Sequence, residues 1–141
     1  MYSDRFSLRA AAHGVCVSVQ PSTFFRRAAY LRTSGFNESN RITWDAELLV
    51  DMALAGARLA RVDQLMSCFR MYPTSISGSR RLVDPYLAYQ RRIFETILGR
   101  PPRRADLLIG GAYRLLKHVA HPRAAAERVL RGPIVGPFDR G

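Results

Sequence analysis

The tract PTSISGSRR, Pro73 to Arg81, divides this 141-residue chain into two unlike parts, and each limits what the other can pack against. Polar and turn-favouring residues fill the tract, so it reads as a loop. Beyond it the apolar residues recur at helical spacing. Asp84 and Pro85 start a helix whose stripe is Tyr86, Tyr89, Ile93 and Ile97, with Gly99 closing it. A second amphipathic helix is predicted over Arg104 to Ala120, with Leu108, Ala112, Leu115 and Val119 turned inward. A third runs from Arg123 to Arg131 and stops at Gly132; the tail GPIVGPFDRG reads as loose.

Ahead of the tract the pattern is mixed. In HGVCVSVQPSTFF, His13 to Phe25, Val15, Val17 and Val19 alternate with small residues, which predicts a strand ending at Pro21. RRAAYLRTSG follows as a short helix over Arg26 to Thr33, and then a turn through GFNESN. Thr43 is placed to cap a helix from Trp44 to Ala55, where Trp44, Leu48, Met52 and Ala55 share a face and Gly56 stops the run. ARLARVD and LMSCFRMY suit a half-buried strand pair through Leu59, Val62, Leu65, Cys68 and Phe69. The expected fold class is therefore α/β, with a helical extension. Its few strands lack cover for their edges and faces, as in the second half of a larger unit. The expected division is 1–79 and 80–141.

Charge bounds the partners. Lys+Arg number 22 against 11 Asp+Glu, a net charge of +11, and Lys117 is the only lysine. Arginine binds planar anions through a forked donor set, so phosphates and carboxylates are the first ligands to consider. A hydrophobic content of 48% argues against disorder. No apolar run approaches the ~18 residues that span a bilayer, and MYSDRFSLRAAAHG lacks a signal-peptide core, so a cytoplasmic chain is expected. Cys16 and Cys68 form no CxxC, and His13, His118 and His121 have no metal-ligand spacing, so neither a zinc site nor a disulfide framework is expected.

The stretch Gln20 to Ser79 carries four motifs in a defined order: QPSTFFRR, the GFNE turn at Gly35 to Glu38, the D-x-E-L-x-x-x-x-A-x-x-G run from Asp45 to Gly56, and FR-x-Y-x-x-S-x-S from Phe69 to Ser77. In this it resembles the C-terminal half of a family-2 glycosyltransferase of the GT-A fold. The resemblance implies transfer of a sugar from a nucleotide-sugar donor to a saccharide or lipid-linked acceptor. It makes Asp45 the catalytic base, and Arg70 and Gln20 substrate contacts; Trp44 is added as a substrate contact on its own chemistry. The family's D-x-D motif, which holds a divalent cation (Mn or Mg) and the donor diphosphate, occurs nowhere in the 141 residues. The resemblance therefore implies a form without the nucleotide-binding half, binding no metal itself and inactive alone.

Elementary chemistry supports Asp45 independently. It lies in the first turn of its helix, in line with Leu48, Leu49 and Met52, where the helix dipole favours an anion. An anionic carboxylate there can take the proton of an attacking sugar hydroxyl. Trp44 stands where the family has a glutamate and offers an aromatic face of the sort sugars stack on. Two other readings remain open on charge alone: a nucleic-acid-binding protein, opposed by arginines spread along the whole chain, and a protein of the anionic inner membrane surface, bound through the basic C-terminal helices.

Overall fold

The computed structural model describes residues 3–62, 64, 66, 67 and 83–120. The chain forms α1 (Leu8–Ala12), α2 (Arg27–Tyr30), α3 (Trp44–Leu54), α4 (Val83–Leu98) and α5 (Arg104–Ala120), with a 3-10 turn at Gln20–Ser22. No strand occurs among the described residues, so the α/β expectation is overturned: this is a helical arrangement. The GT-A sheet implied by the resemblance is corrected with it.

The valine segment shows why. Val15 to Val19, the expected strand, has no regular structure, and its polar groups are met by side chains. The Val17 N–H donates to Asp4 Oδ2 at 2.8 Å and the Val19 N–H to Ser3 Oγ at 3.0 Å; a single backbone bond runs from Asp4 N–H to Val17 O. A ladder needs a second backbone that exchanges N–H and C=O groups with the first, and here the Asp4 and Ser3 side chains take the N–H groups instead. Residues 57–62 likewise run without regular structure; Leu65, Cys68 and Phe69 of the expected second strand lie outside the described residues, as does the helix expected over 123–131.

The helices follow the expectation more closely. α3 and α5 occupy nearly the predicted spans, whereas α2 is half the length expected over Arg26 to Thr33. Thr33 ends it: its hydroxyl donates to Tyr30 O at 2.7 Å and accepts from Gly35 N–H at 3.1 Å, an alternative to continuing the helix. α1 and α3 terminate alike. In α3 the Gly56 N–H donates to Ala53 O and the Ala57 N–H to Met52 O; in α1 Gly14 and Val15 make the same pair to Ala11 O and Ala10 O. This double closure requires a left-handed residue, and Gly56 (φ +83°) and Gly14 (φ +66°) supply it.

Leu48, Leu49 and Met52 of α3 form the core with Phe6, Tyr30 and Leu59 against them. Ile93 and Phe94 of α4 and Ala12 and Val15 at the end of α1 are also buried. α4 closes α1 directly: Gln90 Nε2 donates at 2.9 Å to Ala12 O, a carbonyl that the short helix leaves open, and to Ala11 O, which also accepts from the Gly14 N–H.

α5 corrects the second expectation of the pattern. Leu108, Leu115 and Val119, predicted inward, are 79%, 67% and 69% exposed. The side turned to the protein is Asp106, Gly110, Tyr113 and Lys117, which recur at helical spacing on the opposite face. Arg100 holds Asp106 through a bidentate pair at 2.7 and 2.8 Å, and the Arg103 N–H adds a third bond at 2.6 Å. A Cβ on Gly110 would lie 3.7 Å from the His13 Cβ, an ordinary contact, so α5 packs against the residue that ends α1 at this point. Tyr113 stacks on His13 at 5.7 Å, and Lys117 Nζ reaches Asp4 Oδ2 at 2.6 Å. No helix of the described residues is long and apolar enough to cross a membrane.

Candidate functional site

The turn from Gly35 to Thr43 is organised by one carboxylate. Glu47 Oε2 accepts from Asn40 Nδ2 at 2.6 Å, and both its oxygens accept from Asn37 Nδ2 at 3.1 and 3.2 Å. Arg92 of α4 reaches its other side at 3.3 Å. Asn40 is itself buried and its Oδ1 accepts from the Thr43 N–H at 2.9 Å. Thr43 was the expected cap of α3, but its side chain makes no capping bond; Asn40 receives the approaching backbone instead. A cavity of about 810 Å³ opens on this side of α3, lined in part by Asn37, Glu47, Asp51 and Arg92. Burial, and then the neighbouring Glu47 charge, push the Asp51 carboxyl above its ordinary range.

Asp45 sits differently from Glu47. It is half-buried in the first turn of α3, and its Oδ1 accepts the N–H of the next residue, Ala46, at 2.9 Å. It stands one turn ahead of the buried Leu48 and Leu49 and two ahead of Met52, whereas Glu47 and the turn folded onto it lie on another side of α3. Asp45 keeps a lone pair for a partner that is not part of the chain's own network.

Trp44, adjacent to it, ends a row of aromatic rings. Phe25 stacks on Tyr30 at 5.9 Å, Tyr30 lies against Phe36 at 5.4 Å, and Phe36 meets Trp44 edge-on at 5.3 Å. Phe25 and Phe36 are each 44% exposed, so the row is open to solvent along part of its length. The structure thus joins Trp44, the sequence neighbour of Asp45, to a row of rings drawn from Phe25, Tyr30 and Phe36. Gln20 is not gathered with them: it is exposed in the 3-10 turn, and its side chain makes no hydrogen bond among the described residues. Arg70 lies outside the described residues.

Sequence reasoning missed the Asn37, Asn40 and Glu47 network, although the asparagines of GFNESN ahead of a first-turn glutamate are its signal. Phe25, Tyr30 and Phe36 were missed as a unit because their spacing follows no single helix or strand period. Among the described residues no group of three His, Cys, Asp or Glu could hold a metal ion, so they do not fit as ligands of the divalent cation that the resemblance implies. Comparison with protein-family models, with curated proteins and with solved structures finds no match for this chain.

Proposed function

We propose that this chain supplies the base and acceptor platform of a family-2-type sugar transfer from a nucleotide-sugar donor to a saccharide or lipid-linked acceptor. The observation that carries the reading is that Asp45, half-open in the first turn of α3, directly follows Trp44, the last ring of the partly exposed row Phe25, Tyr30, Phe36 and Trp44. Aromatic faces bury the C–H faces of a sugar ring, and a carboxylate beside them receives the proton as the acceptor oxygen attacks the anomeric carbon. The bond from that carbon to the donor diphosphate breaks as the new C–O bond forms, and the diphosphate leaves with its electron pair. Glu47, with its oxygens taken by Asn37, Asn40 and Arg92, holds the turn that carries Phe36 and is not available as the base.

The test joins this chain to the donor-binding half of a family-2 enzyme and measures turnover. Asp45→Asn keeps the shape but removes the basic oxygen, so the rate should fall ~100-fold or more with donor affinity unchanged. Trp44→Ala should raise the acceptor KM. Retention of turnover by Asp45→Asn would remove the assignment.

A further inference from the structure

The outward face of α5 is a second unexplained surface, independent of the transferase reading. Leu108, Leu115 and Val119, with Leu116 beside them, form an exposed apolar stripe along the helix. An amphipathic helix of a globular domain ordinarily buries such a stripe. Here the polar side is inward, held by the Arg100 to Asp106 pair, by Tyr113 stacked on His13 and by Lys117 bonded to Asp4. The orientation is therefore fixed by specific contacts and leaves the apolar side as a surface.

Its charge names the occupant. The single acidic residue of α5, Asp106, is buried and paired, so the outward side carries no carboxylate. Arg104 and Arg114 are exposed at the margins of the stripe. An apolar stripe with arginines and no α5 carboxylate along its margin matches an anionic bilayer, which takes alkyl side chains below its headgroups and guanidinium groups among the phosphates. A second copy of the chain would instead bring arginine against arginine around the same stripe.

We infer that α5 docks the protein flat on an anionic lipid surface, with Leu108, Leu115 and Val119 inserted and Arg104 and Arg114 at the headgroups. The experiment uses the full chain with vesicles of phosphatidylglycerol or of phosphatidylcholine. Sedimentation with the anionic vesicles is expected, with part of it persisting in roughly 0.5 M salt, where the Debye length falls to about 4 Å. Leu108→Glu and Leu115→Glu should each lower the partition coefficient by about tenfold or more, with the helical circular dichroism of the parent retained. An independent readout places Val119→Trp in a Trp44→Phe background, whose fluorescence brominated lipid should quench. No sedimentation at low salt, unquenched tryptophan, or equal binding by folded Leu108→Glu and Leu115→Glu would each overturn the proposal. So would a lipid-free dimer that Leu115→Glu dissociates, because the stripe would then be covered by a second copy.

Discussion

At the residue scale, Asp45 and Glu47 stand two positions apart and have opposite fates. Glu47 is buried and accepts from two asparagines, so Glu47→Ala strands one N–H of the buried Asn40 amide, whose other bond goes to Thr43 Oγ1. An unsatisfied buried donor costs about 1–3 kcal/mol, and urea denaturation of Glu47→Ala should show a loss of that order. In Asp45→Asn the amide Oδ1 still accepts the Ala46 N–H, so this variant should melt within about 0.5 kcal/mol of the parent. A large loss in Asp45→Asn would mean that the carboxylate is structural. The sequence placed Asp45 in the first helical turn correctly, because that depends only on where α3 starts. It did not reveal which carboxylate is buried, because that depends on how the Asn37 to Asn40 turn folds back on the helix.

At the scale of elements, the ends were read better than the faces. Gly56 was recognised as the stop of α3 and does close it at positive φ. An added Cβ there would meet nothing within 4 Å, so Gly56→Ala isolates the backbone cost. A loss of about 1–2 kcal/mol in chemical denaturation is expected, with the tertiary near-ultraviolet signal retained. The span of α5 was likewise set by local propensity, but its inward side was not. That side is chosen by Gly110, Tyr113 and Lys117, which meet His13 and Asp4 about a hundred positions away, and by Asp106, which is held by Arg100 in the turn before the helix.

The turn into α5 also responds to pH. The Arg100 guanidinium, and next the Arg103 N–H, hold the Asp106 carboxyl well below the usual carboxylate range. A group whose folded value is depressed contributes its full stability above the unfolded value, about 4, and loses it as pH falls further. Thermal melting followed from pH 7 down to about 2 should therefore drop more steeply in the parent than in Asp106→Asn. Parallel curves would show that the Arg100 pair adds nothing to folding.

At the scale of the whole molecule, the α/β expectation failed on long-range partners. Alternating valines specify an extended segment but not its neighbour, and here the neighbour is a pair of polar side chains from Ser3 and Asp4. The same Asp4 ties the first residues of the chain to α5, because its Oδ2 accepts from both Val17 N–H and Lys117 Nζ. Lys117 Nζ also lies 3.3 Å from Val15 O, so the ammonium closes a junction between segments about a hundred positions apart. Both charged side chains are largely shielded, at 22% and 16% exposure, which weakens screening by salt. Asp4→Ala should thus release the Val17 amide and the last turns of α5 together. Hydrogen exchange followed by mass spectrometry should show both segments losing protection, in 0.5 M salt as well as at low salt, while α3 stays protected. If α5 kept its protection in Asp4→Ala, the His13 to Tyr113 stacking and the Arg100 to Asp106 pair would be sufficient to dock the helix, and the outward orientation of its apolar stripe would not depend on the chain's first residues.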